Sequence, residues 1–385
     1  MAGRVRRLAN GLQRLGVGHG DRVAWLGPNH PAFLESLFAS GLLGAALAPV
    51  NHRLAVDGIR AVFADIQPTV LVQHAATDPT PAPDSVQHRV AVGGLIEGAL
   101  DFEALVTASS DEPIQGSAGM EDICLLPHTS GTTGSPKGVM LTHANLTWNV
   151  INFLSCADFR SDDVTVAIAP FFRVGGTGVN VLPVLFLGGT VVVPSDLSPV
   201  GILQAMERYR VTVGFGNPDL LDALCRSAAW PQVDLSSVRF IITGGAPVPE
   251  RLIRAWLDRG VLLLQGYGLS EAAPLALLLD PASALTKMGS AGGPRCWLTS
   301  GSWTQTGRWW GRGRPASCWC VAPTTWPDTG GDPRPPARSC HRTAGCGPAT
   351  RHEATGTGSS GSWIGSPTAS SPRASPSTRA TWNGC

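Results

Sequence analysis

Residues able to build a hydrophobic core run out near position 294, and that boundary sets what this chain can fold into. From Arg295 onward lie eight of the twelve Trp and six of the nine Cys, with no Lys, Phe or Tyr, one Leu (Leu298) and one Ile (Ile364). Acidic residues there are limited to Asp328, Asp332 and Glu353. Gly, Ser, Thr, Pro and Arg fill the rest without a period of 2 or 3.6, so the stretch offers no face to bury. A disordered linker shares that poverty, but disordered segments are ordinarily poor in Trp and Cys as well, and this one is rich in both.

Residues 1–294 read differently. Val5, Leu8, Ala9, Leu12 and Leu15 recur at helical spacing over 4–16. Arg22–Leu26 reads as a strand, Phe33–Leu43 as a helix and Ala45–Val50 as a strand; Asp57–Ile66 and Thr69–Val72 repeat the alternation. Residues 76–88, with three prolines, read as a loop. Further on come a buried strand at 123–126, a capped helix start at Leu141–Leu146, a strand at Val164–Ala169 and a Gly-rich helix at 175–187. Strand 190–193, helix 199–208, strand 211–215, helix 218–226, strand 239–243, helix 249–258 and strand 261–265 complete the series. Such alternation predicts mainly parallel sheets covered by helices, an α/β fold.

Composition narrows the function classes. Hydrophobic residues make up 43% and charged residues 15%, with a net charge of +1. That balance fits a globular enzyme and argues against nucleic-acid or membrane-surface binding driven by bulk charge. No apolar run reaches transmembrane length and Met1-Ala2-Gly3-Arg4 opens no signal sequence, so a cytoplasmic location is expected. Cys124, Cys156 and Cys225, the cysteines before residue 295, have no metal or disulfide spacing.

The chemistry concentrates in Thr129-Ser130-Gly131-Thr132-Thr133-Gly134-Ser135-Pro136-Lys137-Gly138-Val139. Glycines let backbone N–H groups approach an anion, hydroxyls donate further hydrogen bonds, and the lysine supplies charge. It is not a Walker loop, because Pro136 and Gly138 stand where Gly and a hydroxyl would flank the lysine. Two later segments follow strands. Thr243-Gly244-Gly245-Ala246-Pro247 lies where parallel sheets place ligands, and equally suits a plain strand–helix turn. In Gln265-Gly266-Tyr267-Gly268-Leu269-Ser270-Glu271, glycines clear space beside an aromatic face suited to a base. Ser270 offers a hydroxyl to phosphate and Glu271 a carboxylate to a hard cation.

In order and composition these segments resemble the adenylate-forming superfamily, which includes acyl-CoA synthetases, aryl-acid ligases, luciferases and peptide-synthetase adenylation domains. The resemblance covers about residues 1–294 and implies the layered αβαβα N-terminal domain of an acyl-CoA synthetase, with an opening segment of the family cut short. It implies ATP-dependent activation of a carboxylic acid, expected here to be a fatty acid, to an acyl-adenylate and then to acyl-CoA. ATP, Mg²⁺ and coenzyme A would be required. By the same resemblance Thr129 and Glu271 hold Mg²⁺, and Thr129, Ser130, Gly131, Thr132, Thr133, Gly134 and Lys137 cradle phosphate. Gly244, Gly245 and Ala246 pack on adenine and the acyl group, and Gln265, Gly266, Tyr267, Gly268 and Ser270 complete the nucleotide site, with Lys137, Thr129 and Glu271 as the catalytic set.

Phe171, Phe172, Arg173 and Gly175 correspond to a segment lining the acyl tunnel, although core packing is an equal reading of the two phenylalanines. Relatives usually carry His at Arg173, an aromatic at His128 and Thr at Ser270. His143 reads as part of a helix start rather than of catalysis. Members of the superfamily also need an Asp that grips ribose, an Arg after it and a lysine on a mobile C-terminal domain. None can be assigned here: Thr329-Gly330-Gly331-Asp332 is a superficial match and no lysine follows Lys287.

Residues 295–385 are therefore expected to be a non-native or disordered, out-of-frame tail. With suitable wobble bases, Gly301–Gly307 read from the third base gives Val-Val-Asp-Ala-Asp-Gly, and Ser317–Pro323 gives Leu-Leu-Val-Arg-Gly-Pro. Arg342–Thr350 gives Asp-Gly-Trp-Leu-Arg-Thr-Gly-Asp in the same frame, a superfamily signature, and Trp363–Gly365 gives Asp-Arg. Impaired adenylation is expected of the polypeptide as written. A catalytically dead nucleotide- or acyl-binding fragment, or a pseudogene product, is the alternative. Oligomeric state has no signal in the sequence.

Overall fold

A computed structural model describes residues 1–77, 82–83, 85–115, 118–130 and 136–294, together with the backbone of 361–363 and 380–382, which pair antiparallel. Most of the stretch read as an out-of-frame tail thus lies outside the described residues. The rest is two seven-stranded sheets with helices packed on them, the mixed α/β architecture expected.

The first sheet contains β1 (Arg22–Leu26), β2 (Ala46–Val50), β3 (Val70–His74), β4 (His88–Val92), β5 (Leu100–Asp101) and β6 (Ile123–Leu125). A short hairpin, β7 (His128–Ser130) and β8 (Pro136–Gly138), precedes its last strand, β9 (Leu141–Thr142). The order is β5-β4-β3-β1-β2-β6-β9, parallel except for β6 with β9. β1 is wholly buried and sits between β2 and β3, with Ala24 level with Ala48 and Leu71. Near-continuous apolar runs are what a strand covered on both faces requires. The covering helices are α1 (Ala2–Arg14), α2 (Pro31–Leu42), α3 (Val56–Ile66) and α4 (Phe102–Thr107). α1 turns Val5, Leu8, Ala9 and Leu12 inward onto α2 and α4, the face its spacing predicts.

α5 (His143–Cys156) leads into the second half. Its Thr142 cap accepts from the Asn145 amide while the Asn145 side chain accepts from the Thr142 amide, a closed capping box. His143 is thus the first residue of the helix, as expected. The second sheet takes β10 (Val164–Val166), β11 (Thr190–Val192), β12 (Val213–Gly216), β13 (Phe240–Thr243), β14 (Leu262–Gly268), β15 (Leu275–Leu278) and β16 (Gly293–Pro294). Its order is β11-β10-β12-β13-β14-β15-β16, parallel through β14 and antiparallel after it. Helices α6 (Val174–Gly178), α7 (Val181–Phe186), α8 (Pro199–Arg208), α9 (Pro218–Cys225) and α10 (Glu250–Leu257) connect them.

Three expectations change. The helix read over 175–187 is broken in two at Asn180, whose buried amide donates to Thr165 Oγ1 at 2.6 Å and to the Val166 carbonyl at 3.3 Å. Satisfying that amide outweighs one more helical turn. The loop read over 76–88 stops short of β4, whose strand opens with polar His88 and Arg89 before its apolar run. The hairpin around the Gly-rich run had no apolar alternation to announce it.

Side-chain amides tie the halves together. Asn29, after β1, donates to the carbonyls of Ala167 and Ala169 at 2.9 and 2.8 Å and accepts from the Phe171 amide at 2.8 Å. Buried Asn149 of α5 donates to Gly178 and accepts from the Leu275 amide. Among the described residues no helix is long and apolar enough to cross a membrane. Cys124, Cys156 and Cys225 form no disulfide among the described residues.

Three histidines follow the carbonyl ends of adjacent strands: His30 after β1, His52 after β2 and His74 at the end of β3. The His30 and His74 rings stand 5.5 Å apart, and His52 packs edge-on against Phe172. Burial holds all three below the ordinary imidazole range. His74 opposes the charging of His30 and His52, and Arg53 opposes that of His52, while Glu35 and Glu103 favour a charged His30. With folded pKa values below unfolded ones, the unfolded chain binds more protons as pH falls below about 6.5, so stability rises with pH through that window. Thermal unfolding should therefore come at lower temperature at pH 5.5 than at 7.5, and His74→Gln should narrow the gap; calorimetry at the two pH values measures both.

Candidate active site

A cavity of about 560 Å³ opens at the carbonyl ends of the parallel strands of the second sheet. Ala169 and Pro170 follow β10, Asn217 follows β12, Thr243 to Ala246 end and follow β13, and Gly266 to Gly268 end β14; all line it. Parallel sheets bind ligands at this edge because the crossovers leave a crevice there. Of the residues expected from sequence, the cavity brings together Arg173, Gly175, Gly244, Gly245, Ala246, Gly266, Tyr267, Gly268 and Ser270. Phe153, Val179, Phe215, Leu220 and Ile242 supply an apolar portion.

Much of the wall is backbone set against backbone. A methyl group at Gly244 would stand 2.6 Å from the Gly266 carbonyl oxygen, and one at Gly268 would overlap the Pro274 carbonyl. Gly176 is equally tight against Pro170. Gly245 has φ +88° with open space around it, a conformation that glycine adopts without strain. Thr243 is wholly buried, lines the cavity, and leaves its hydroxyl without a partner. An orphaned hydroxyl at a cavity wall suits a polar ligand atom. Tyr267 is 38% exposed, and its neighbouring glycines leave the ring accessible.

Other expected residues sit elsewhere. Phe171 is 2% exposed and stacks on Phe33 with ring centroids 4.9 Å apart, while Phe172 lies beneath His52 and Arg53. Neither lines the cavity. Their burial agrees with the core-packing reading of the two side chains, and the Asn29 side chain accepts from the Phe171 amide beside them. Gln265 is buried below the rim, donating to the Gly289 carbonyl at 3.4 Å with its Oε1 unpartnered.

Thr129 and Lys137 face each other across the hairpin, where β7 and β8 pair in register. Gly131, Thr132, Thr133 and Gly134, which lie between them in sequence, are outside the described residues, as is the side chain of Ser130. Lys137 has no ion-pair partner among the described residues, leaving its charge for a ligand. Glu271 follows Ser270 in a 3₁₀ turn and is likewise unpaired. A hydroxyl and a carboxylate without other partners are the hard oxygen donors that Mg²⁺ takes alongside phosphate and water. Among the described residues no group of three His, Cys, Asp or Glu side chains could hold a metal by itself.

Sequence reasoning missed Asn217 and Asp219. Asn217 caps α9, accepting from the Leu220 amide at 2.9 Å, so an Asn-Pro pair after a strand was the available signal. Asp219 and Arg173 both line the cavity and are both exposed, with no ion pair between them.

A profile of the family described as AMP-binding enzyme matches residues 1–299. Similar proteins include the feruloyl-CoA synthase of Amycolatopsis sp, 46% identical over 294 residues that make up 76% of this chain and 57% of that protein. The indoleacetate–CoA ligase of Aromatoleum aromaticum is 38% identical over 305 residues, 77% of this chain and 60% of that protein. The chain thus spans less than two thirds of the length of either relative. Among solved structures, the inhibitor-bound N-terminal domain of FACL13 from Mycobacterium tuberculosis superposes with a TM-score of 0.71 at 27% identity, over 80% of this chain and 77% of that one. The anthranilate CoA ligase AuaEII in complex with anthranoyl-AMP gives 0.73 at 26% identity, over 81% and 62%.

The glycine packing is directly testable. Gly268→Ala should destabilise the fold by about 1–3 kcal/mol, the usual range for overpacking. Gly175→Ala, whose methyl would meet Phe215 at 3.4 Å, should leave the denaturation midpoint nearly unchanged while narrowing the cavity. Equal losses in urea denaturation would contradict the packing described.

Proposed function

Because this chain belongs to the AMP-binding enzyme family, we propose that it binds ATP beside a carboxylic acid and joins them as an acyl-adenylate, the first half of an acid–CoA ligase reaction. One observation carries the reading: the Gly244–Ala246 turn, the Gly266–Ser270 segment and the Arg173–Gly176 segment converge on one cavity. In the first step a carboxylate oxygen forms a bond to the α-phosphorus, the α–β anhydride bond breaks, and pyrophosphate leaves with the electron pair. In the second, the sulfur of coenzyme A bonds to the acyl carbon, the mixed anhydride opens, AMP departs and the thiol proton is lost.

No protein nucleophile takes part in either step, so the side chains work by position and charge. Lys137 neutralises phosphate oxygens as two anions are brought together. Thr129 donates from the opposite strand, and the Tyr267 ring flanks adenine. The Gly244–Ala246 backbone runs along the base and the acyl group. Thr129 and Glu271 would hold Mg²⁺, which withdraws charge from phosphate oxygens when bound. ATP and coenzyme A are available together in the cytoplasm, where we place the protein.

For the acid we favour an aromatic carboxylate over the fatty acid expected from sequence. The apolar portion of the cavity is framed by Phe153 and Phe215, and the names of the 46% and 38% identical relatives specify feruloyl and indoleacetate groups. A long-chain fatty acid is the second reading, supported by the 30% identical long-chain-fatty-acid–CoA ligase FadD13 of Mycobacterium tuberculosis.

Turnover by the polypeptide as written is proposed to be weak, since no ribose-gripping Asp, following Arg or late lysine can be assigned in it. We read the stretch after residue 294 as out of frame. Sequencing the DNA across codons 285–385 tests that reading, which a corrected base near codon 295 supports and an unchanged sequence overturns.

ATP binding should be measurable by titration calorimetry, with Lys137→Ala weakening it about ten- to a hundredfold, the scale of one lost charge-assisted hydrogen bond. ATP–pyrophosphate exchange should be near background with hydroxycinnamate or long-chain acids. A robust rate that Lys137→Ala or Glu271→Ala abolishes would overturn the impairment, and the acid giving the faster exchange would decide the substrate class.

A further inference from the structure

The hairpin that carries Thr129 and Lys137 is small. Its strands are three residues each, and two short strands do not hold their own conformation in water. Something outside it must fix where its two functional side chains stand.

Asp65 and His128 meet that need. Asp65 lies in the last turn of α3, a helix seated on the first sheet through buried Ile59, Val62, Phe63 and Ile66. His128 is the first residue of β7, pairs with Gly138 across the hairpin and adjoins Thr129. The His128 Nε2 and Asp65 Oδ2 atoms are 2.9 Å apart. An ionised carboxylate only accepts, so the imidazole donates from Nε2. The side chain of His128 is 7% exposed and that of Asp65 24%, so water competes weakly for the contact. Nδ1 of His128 is buried without a partner. The Asp65 contact is thus the hydrogen bond that the buried ring makes, and removing either partner leaves the other without it. α3 also packs against β8, so both strands of the hairpin meet the same helix.

We propose that Asp65 and His128 are positioning residues: a hydrogen-bonded clamp between α3 and the hairpin that sets Thr129 and Lys137 for the triphosphate. The inference rests on the reading of this hairpin as the phosphate site. The clamp acts on phosphate through the hairpin and leaves the base end of the cavity, formed by the second sheet, untouched.

The test combines hydrogen exchange and binding on the full chain. Exchange at the amides of 128–130 and 137–139 should speed up about tenfold in Asp65→Ala, as expected when a buried imidazole donor loses its partner, with no change in α1 or β13. Asp65→Asn keeps an acceptor for Nε2–H and should restore slow exchange. ATP affinity should fall about tenfold in Asp65→Ala and recover in Asp65→Asn, while adenosine, which lacks phosphate, binds all three proteins equally. Unchanged hairpin exchange in Asp65→Ala, or a parallel loss of adenosine and ATP binding, would overturn the clamp. Failure of the unmodified chain to bind ATP would instead overturn the proposed function, and the exchange measurement would still decide the clamp.

Discussion

The cavity exists because backbone approaches backbone more closely than any side chain permits. Gly244 against the Gly266 carbonyl, Gly268 against the Pro274 carbonyl and Gly176 against the Pro170 carbonyl draw β13, β14, β15 and the start of α6 into one rim. Three consequences follow from the missing methyl groups. Carbonyl and amide groups line the wall at short range, the Tyr267 face is left clear, and the Gly245 turn adopts a positive φ at little cost. A site built this way recognises flat and charged ligand parts through main-chain groups, which suits a purine and a phosphate better than a flexible chain.

That rim belongs to the second sheet, whereas the hairpin with Thr129 and Lys137 lies between β6 and β9 of the first. Coordination of the two depends on a few amide side chains. Asn29 grips both carbonyls that flank Ile168 and the amide of Phe171, so the end of β1 fixes the segment leading to Arg173. Asn149 holds Gly178 and Leu275 together from α5, the helix that follows β9. Each of these amides is satisfied on both its donor and acceptor sides, so each specifies a distance as well as adding stability. The apolar core beneath, with Phe33, Phe171 and Val174 in one cluster, fills the space those distances define.

Much of this was legible in the sequence because buried parallel strands leave a plain signature. Phe240-Ile241-Ile242 and Val23–Leu26 are continuous apolar runs inside their strands, and helix 199–208 matched to the residue. The nine cavity residues expected from sequence came from two short Gly-rich segments and one Arg-Val-Gly-Gly turn, whose composition fixes local backbone shape. Sequence leaves Phe171 and Phe172 open between ligand and core because an aromatic beside a Gly-rich turn looks the same in either role; the Asn29 contact to the Phe171 amide lies 142 residues away in sequence. Asp65 with His128 was invisible for the same reason, 63 residues separating the partners. Long-range pairs between single polar residues have no periodicity to detect.

Charge sets the remaining requirement on the proposed chemistry. Joining a carboxylate to a triphosphate brings like charges within bonding distance, and the cavity itself offers little to offset them. Arg173 and Asp219 are the charged residues among its described lining, and their charges cancel. Positive charge near the phosphates must therefore come from Lys137, whose ammonium has no competing carboxylate among the described residues, from hairpin amides and from a bound cation. A single lysine does not balance a triphosphate and a carboxylate together. On the proposed function, nucleotide binding and turnover accordingly make different demands on this fold: binding would draw on the rim and hairpin described, while transfer would need further charge brought to the reacting phosphorus.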